Sequence, residues 1–168
     1  MSDDLLLTQA AFDRLMAELT QLMTVERGLI SRKIQEAREE GDLKENGGYH
    51  AAKEEQGKLE SRINRLQNML GNAQIGEADP SDGVVKQGLV VSCKLNGSPM
   101  EFYLGSNEVF DGTEFQAKID EGDLDVYSPD SPIGKAVMGQ KVGSSVSFSA
   151  PNGKEISVEI SGIKNFNF

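Results

Sequence analysis

The apolar positions between residues 49 and 73 constrain the fold more than any other feature of the sequence. They lie alternately three and four residues apart, at Tyr49, Ala52, Gln56, Leu59, Ile63, Leu66, Leu70 and Ala73, with one polar member. An unbroken alternation of this kind places the side chains along one face of a helix and is typical of a coiled coil. Such a segment needs a second helix against which to bury that face.

A second helical segment with an apolar face precedes the first. Thr8 is a favourable N-cap, and Leu7 and Phe12 occupy the positions of a hydrophobic staple. The apolar positions then slip by one residue midway: Phe12, Leu15, Leu19 and Leu22 are followed by Ile30, Ile34 and Ala37. Gly41 is expected to end this helix. Because a short loop joins the two segments, residues 1–79 are predicted to form an antiparallel coiled-coil hairpin.

The chain changes character near Pro80. All five prolines and most valines and phenylalanines lie from this position onward. Asn96-Gly97 and Asn152-Gly153 each separate two apolar runs, which is a strong β-hairpin signal. Ser131 is a candidate N-cap of a short helix, with Pro132 at its first position. Residues 80–168 are therefore predicted to form a small α+β domain around an antiparallel sheet.

Composition excludes several classes of protein. The formal net charge is -10, which argues against autonomous binding of DNA or RNA. Cys93 and His50 are the only cysteine and histidine, so neither an internal disulfide nor a cysteine-rich or multi-histidine metal site is available. The acidic start at residues 1–4 lacks the features of a signal peptide, and no apolar run is long enough to span a membrane. A reduced cytoplasm is the expected location.

The loop between the two predicted helices carries a pair of carboxylates. Asp42 and Glu45 are three residues apart, which places them on one side of a turn. Carboxylate oxygens suit Mg²⁺, which usually keeps several waters beside them. Two carboxylates would thus supply part of a metal shell that another molecule completes. Charged residues in such a loop are, however, more often simply solvated, and spacing alone favours that interpretation.

Basic residues flank the loop on both helices, at Arg32, Lys33, Arg38, Lys44, Lys53 and Lys58. They are candidates for contacts with RNA phosphates or with an acidic protein surface. Residues 26–65 nevertheless carry nine acidic and nine basic side chains, a balance more typical of an ordinary charged helix surface. His50, one turn into the second helix, is by itself more typical of a surface or hydrogen-bonded residue than of a catalyst.

The loop and the start of the second helix resemble a known signature. The runs REEGDLKEN at 38–46 and YHAAKEEQ at 49–56 are similar to the hairpin tip of the bacterial Gre transcript-cleavage factors, the GreA branch more than the GreB branch. The resemblance extends from about Leu7 to Ile163. It includes Leu70-Gly71-Asn72-Ala73, Ser131-Pro132-Ile133-Gly134, Val142-Gly143 and Pro151-Asn152-Gly153.

This resemblance implies a coiled-coil hairpin, an FKBP-like second domain and bacterial RNA polymerase as the partner. In the family, the globular domain docks at the mouth of the polymerase secondary channel, and the hairpin reaches the active site. The two tip acids, here Asp42 and Glu45, help to bind a Mg²⁺ ion shared with the polymerase. The polymerase then cleaves the 3′ end of backtracked RNA. The resemblance therefore implies that the factor itself is not an enzyme and has no cofactor of its own.

The resemblance also implies further contacts. Arg38 and Lys53 match basic positions used toward the nascent RNA 3′ end, and Ser131, Pro132 and Ile133 match the turn that touches the polymerase. The family often has Ala-Glu where this chain has Gly47-Gly48. Because each glycine disfavours helix by about 1 kcal/mol relative to alanine, the second helix is expected to start late and to leave a mobile tip.

Three alternative functions stay open from the sequence. An inhibitory Gre-like paralogue is disfavoured by the retention of both Asp42 and Glu45. A peptidyl-prolyl isomerase on a helical stalk would need an aromatic cage, and the chain has no tryptophan. A coiled-coil adaptor predicts a stable dimer, whereas a hairpin whose helices pair with each other predicts a monomer.

Overall fold

The computed structural model describes residues 5–167, and this part of the chain divides into two compact units. The first runs from Gln9 to Ala73, and the second combines Leu5–Thr8 with the chain from Gln74 onward. Residues 74–79 thus belong with the second unit, six residues earlier than the predicted boundary after residue 79. The acidic start at residues 1–4 lies outside the described residues.

The first unit is the predicted helical hairpin. Helix α1 spans Gln9–Gln21, a π-helical segment spans Leu22–Glu26, α2 spans Arg27–Glu39, and α3 spans Gly47–Gly71. The first arm of the hairpin, α1 to α2, buries Ala11, Leu15, Leu19, Ile30, Ile34 and Ala37. The second arm, α3, buries Ala52, Ile63, Leu66 and Leu70. The predicted seam and the pairing of the two arms are confirmed.

The π-helical segment gives the physical cause of the slip in the apolar pattern. A π turn accommodates one residue more than an α turn, so the apolar face moves by one position along the sequence. The seam that includes Leu15 and Leu19 therefore continues at Ile30 and Ile34. Thr24 lies within this segment, and its hydroxyl donates to the carbonyl oxygen of Thr20, which precedes the segment, at 2.6 Å. A side-chain hydrogen bond of this kind favours bending of a helix.

Two double hydrogen-bonded ion pairs fix the register of the hairpin. The Arg62 guanidinium donates to both carboxylate oxygens of Glu18 at 2.7 and 2.9 Å. Arg27 donates to Glu60 at 2.8 and 2.9 Å, and these bonds lower the pKa of the Glu60 carboxyl. Bidentate geometry specifies orientation as well as distance, so these pairs hold the two arms at one relative position.

The second unit is built on a five-stranded sheet in the order β5-β4-β3-β7-β6. Its strands are β3 (Leu89–Leu95), β4 (Ser98–Leu104), β5 (Asp125–Tyr127), β6 (Ser145–Ser149) and β7 (Glu155–Asn165). Every neighbouring pair is antiparallel except β4 and β5, which are parallel. The connections carry a 3₁₀ helix (Asn107–Phe110), α4 (Phe115–Asp120) and α5 (Pro132–Val137).

The predicted α+β class and turn chemistry of this unit are confirmed. Asn96 and Gly97 have φ values of 47° and 88°, as a two-residue hairpin turn of type I′ requires. The Ser131 side chain caps α5 by accepting from the Gly134 amide, with Pro132 at the first position. The parallel β4–β5 pair and α4 were not predicted, and the FKBP-like character of the unit stays a prediction.

A further pair of short strands belongs to the second unit. Strand β1 (Leu6–Leu7) and β2 (Gln74–Ile75) are parallel, with the Gln74 amide donating to the Leu5 carbonyl oxygen at 2.8 Å. The whole hairpin lies in the sequence between these two strands. Within the described residues, no helix is long and apolar enough to cross a membrane.

Candidate functional site at the hairpin tip

The tip loop begins where α2 ends. Glu40 is the C-cap residue, and its amide donates to the Ala37 carbonyl oxygen at 3.3 Å. Gly41 follows with a φ of 135°, a backbone conformation that side chains with a Cβ rarely adopt. The predicted helix stop at Gly41 is confirmed, and the chain leaves the helix sharply enough to present the next residues as a loop.

Asn46 closes the loop at the other side. Its side-chain Oδ1 accepts from the Tyr49 amide at 3.0 Å, which makes it the N-cap of α3. The helix therefore begins at Gly47, and the expectation of a late start is wrong. An asparagine N-cap contributes about 1 kcal/mol, which offsets much of the glycine penalty at the first turn.

The two predicted acids lie in this loop with exposed side chains. Asp42 and Glu45 are both exposed, and Asp42 Oδ1 accepts from the Lys44 amide at 3.1 Å. His50 Nε2 lies 3.2 Å from the Lys44 carbonyl oxygen. Since a carbonyl oxygen only accepts, His50 Nε2 is the donor in this contact.

The chemistry of the donor set fits a shared magnesium ion. Exposed carboxylates are oxygen ligands of the type that Mg²⁺ prefers, and one or two of them commonly serve while waters or phosphates complete the shell. Within residues 5–167, no three His, Cys, Asp or Glu side chains cluster closely enough to hold a metal ion. Asp42 and Glu45 would thus provide part of a shell, with the remaining ligands coming from elsewhere.

The predicted RNA-contacting residues flank the tip. Arg38 lies on α2 with its guanidinium carbon 5.7 Å from the centre of the Tyr49 ring, a cation–π distance. Lys53 lies on α3, and its Nζ donates to Gln56 Oε1 at 2.8 Å. Both side chains are exposed, and within residues 5–167 neither forms an ion pair with Asp42 or Glu45. Their role toward RNA stays a prediction.

Two of the other four basic residues near the tip form ion pairs on the hairpin itself. Lys33 Nζ lies 2.9 Å from a Glu55 carboxylate oxygen, and Lys58 Nζ lies 3.1 Å from Glu54. For these two residues, the structure therefore favours the interpretation of an ordinary charged helix surface.

The predicted docking turn lies in the second unit. The Ser131 hydroxyl donates to the Ser128 carbonyl oxygen at 2.6 Å and accepts from the Gly134 amide. Ile133 is 5% exposed and packs in the core of the unit, whereas Pro132 is exposed. Of these three predicted docking residues, Pro132 is the one that presents its side chain most fully to a partner.

Two side chains organise the tip. The sequence did not single out Asn46, whereas it indicated that His50 is a surface or hydrogen-bonded residue, which the structure confirms. Asn46 contacts both arms of the hairpin, because its Nδ2 donates to the Ala37 carbonyl oxygen while its Oδ1 caps α3. His50 contacts the loop backbone. The sequence signal for Asn46 was available, since asparagine directly before a helical segment is a common N-cap. Nothing in the spacing indicates the partner of His50.

The sequence is similar to those of known transcription elongation factors. The family model of the N-terminal part of the GreA/GreB transcription elongation factors matches residues 5–75, and that of the C-terminal part matches residues 113–165. Transcription elongation factor GreA of Mycobacterium bovis is 47% identical over 92% of this chain and 90% of its own length. That of Streptomyces coelicolor is 45% identical over 96% and 93%.

The chain also matches a solved structure. The crystal structure of GreA factor homolog 1 from Thermus thermophilus is 28% identical, covers 96% of this chain and 99% of its own, and has a TM-score of 0.41.

Proposed function

The chain belongs to the GreA/GreB family of transcription elongation factors, and on that basis we propose that it stimulates RNA cleavage by bacterial RNA polymerase. It binds the polymerase through the secondary channel and promotes cleavage of the 3′ end of backtracked nascent RNA, which releases arrested elongation complexes. The chain acts as a cytoplasmic monomer, and the bond-breaking activity belongs to the polymerase.

The tip acids carry the proposed mechanism. Asp42 and Glu45 would hold a Mg²⁺ ion shared with the polymerase through their carboxylate oxygens, and the ion would supply electrostatic stabilisation of phosphoryl transfer. Arg38 and Lys53 contact the displaced RNA 3′ segment, where their positive charges offset the negative charges of the phosphates. Pro132, with its neighbours Ser131 and Ile133, docks the second unit on the polymerase.

One observation supports this proposal above the others. Two exposed carboxylates lie on a short loop between helices whose ends are tied to each other, so the loop backbone that carries the acids has a defined conformation. Preorganised carboxylates at the end of a hairpin suit insertion into a site that lacks metal ligands.

The test uses stalled, backtracked RNA polymerase with 3′-labelled RNA. The double variant Asp42→Asn plus Glu45→Gln removes two negative charges and keeps side-chain size. We expect it to lose at least about 90% of the stimulated cleavage rate, because removal of one transition-state stabiliser typically lowers a rate by about a hundred- to a thousandfold. The measurement is the rate of release of short labelled fragments.

The matched control is Glu36→Gln plus Glu39→Gln. Both residues are exposed on α2, and the control removes the same two charges without touching the loop. It should cleave like the unchanged protein. Equal cleavage by both double variants would contradict the role of the tip acids, while binding of the unchanged protein without any cleavage would support the inhibitory paralogue.

The isomerase alternative gains no support from the second unit. Tyr103, Phe110 and Phe166 contact one another edge to face, with ring centres 4.9 to 6.0 Å apart. Aromatic side chains that fill one another's space form a packed cluster, and an isomerase cage has to leave that space for a prolyl ring.

A further inference from the structure

We propose that Asn46 and His50 are positioning residues that hold Asp42 and Glu45 in the conformation needed for cleavage. The inference rests on the proposed function and adds to it the groups that determine where the two acids point. Neither residue is expected to touch RNA, metal or the reacting atoms. Each acts through the backbone of the tip loop.

Asn46 ties the two arms of the hairpin together through one amide group. Its Nδ2 donates to the carbonyl oxygen of Ala37 near the end of α2, and its Oδ1 accepts from the Tyr49 amide at the start of α3. The two partners require opposite hydrogen-bonding roles, and an amide in this orientation satisfies both, with the nitrogen as donor and the oxygen as acceptor. The seven-residue segment between Glu39 and Gly47 is thereby closed at its base.

His50 reaches the same loop from the first turn of α3. Its Nε2 donates to the Lys44 carbonyl oxygen, and the Lys44 amide donates to Asp42 Oδ1. The Lys44 residue thus connects the imidazole with the Asp42 carboxylate through two successive hydrogen bonds. Glu45 directly follows Lys44 and precedes Asn46, so its backbone is bracketed by both contacts.

Aromatic contacts hold the imidazole itself in place. The His50 and Tyr49 rings lie edge to face with centres 5.6 Å apart, and Arg38 lies over the Tyr49 ring. Groups from α2 and α3 therefore support the loop from both sides. Because reaction rates fall steeply when ligands are misplaced by about 1 Å, we expect loss of these contacts to lower the rate of cleavage more than the affinity for the polymerase.

The decisive variants are Asn46→Ser and Asn46→Asp. Both keep an oxygen that can cap α3, and both remove the Nδ2 donor to Ala37. The matched control is Asn72→Asp, because Asn72 Nδ2 also donates to a backbone carbonyl, that of Asn68 at 2.9 Å, at the far end of α3. It removes the same kind of bond and adds the same charge away from the tip. His50→Leu and the donor-retaining His50→Gln form a second pair.

The cleavage rate at saturating factor and the factor concentration for half-maximal rate separate chemistry from docking. We expect Asn46→Ser and Asn46→Asp to lower the saturating rate by about ten- to a hundredfold, with less than a threefold change in the half-maximal concentration. Asn72→Asp should leave both unchanged. His50→Leu should lower the saturating rate, and His50→Gln should restore most of it. An unchanged saturating rate in the Asn46 variants would overturn the proposal.

A second readout uses the free protein and does not depend on the polymerase. Hydrogen exchange should be faster at the Lys44 amide in the Asn46 variants than in the unchanged protein and in Asn72→Asp, while the Tyr49 amide stays protected. If the unchanged protein stimulates no cleavage, the proposed function fails, and this exchange pattern still decides whether Asn46 orders the loop. Equal Lys44 exchange in all four proteins would overturn the positioning role.

Discussion

Tyr103 shows how burial sets the chemistry of a single residue. Its side chain is 3% exposed on β4, and its ring contacts those of Phe110 and Phe166. Loss of hydration disfavours the phenolate, which raises the pKa of Tyr103 from 10.0 to about 12. The residue is therefore neutral in the folded protein at every pH at which the protein is expected to work.

This shift predicts an alkaline loss of stability. Because the folded pKa lies above the unfolded value, the stabilisation is fully present below pH 10 and is lost as the pH rises from 10 to about 12. We expect Tyr103→Phe to weaken the decline of the thermal midpoint across that range. Parallel absorbance titration should show one tyrosine fewer in the last ionising step. An identical decline in both proteins would contradict the assignment.

The candidate site was predictable from single residues only in part. Asp42 and Glu45 were found because their spacing and the resemblance agree, and the structure places both in an exposed loop. The order of that loop depends on contacts between residues nine and six positions apart, from Asn46 to Ala37 and from His50 to Lys44. Such contacts depend on how α2 and α3 are placed relative to each other at the tip. Neither the spacing of residues nor their helix propensity determines that placement.

Glycines in the hairpin illustrate how elements use the same residue in opposite ways. Gly57 lies inside α3, where an added Cβ would meet no atom within 4 Å. Gly41 ends the preceding arm with a φ of 135°, where an added Cβ also has space but the backbone conformation is unfavourable. Conformation, and not crowding, therefore separates the two positions.

Alanine should have opposite effects at these two sites. Gly57→Ala is expected to stabilise the protein by about 0.5–1 kcal/mol, through helix propensity. Gly41→Ala is expected to destabilise it by about 1 kcal/mol or more, because the backbone of alanine is strained at a positive φ. Urea unfolding of both variants measures the difference, and a shift of the same sign in both would show that conformation does not separate them.

The π-helical segment predicts an unusual tolerance to deletion. Removing Thr24 takes out the one extra residue that distinguishes the π-helical segment from an α-helix. The shortened chain can then form a regular α-helix with Ile30 and Ile34 still on the buried face. Removing Arg32 from the regular part of α2 would instead rotate Ile34 and Ala37 away from α3. We expect the first deletion to leave a cooperative thermal transition and the second to abolish or strongly lower it, as measured by circular dichroism.

Sequence patterns predicted the long elements better than their connections. The heptad residues of α3 and the two Asn-Gly turns are local signals, and the structure confirms them. The parallel pairing of β4 with β5 brings together segments separated by the twenty residues 105–124, which form loops and helices. A three-residue strand has too few positions for a recognisable alternation, so its pairing was not visible from the sequence.

At the scale of the whole chain, the hairpin is an insertion between β1 and β2. The Gly76 amide donates to the Leu7 carbonyl oxygen at 2.9 Å, and the Gln74 amide to that of Leu5. Both ends of the hairpin are therefore attached to one parallel pair in the second unit. Parallel neighbours need a long connection, and here the connection is the entire helical hairpin. A boundary drawn from composition alone could not assign residues 5–8 to the second unit, because they precede the helices in sequence.

This arrangement makes residues 5–8 a structural part of the second unit. Leu7 is 0% exposed, so Leu7→Ala is expected to lower the free energy of unfolding by about 2–5 kcal/mol through lost burial and the cavity left behind. Leu29→Ala is the matched control, because Leu29 is 46% exposed, and its change should be within about 0.5 kcal/mol. Urea unfolding measures both values. Equal, small effects would contradict the prediction and would mean that residues 5–8 contribute little to the stability of the second unit.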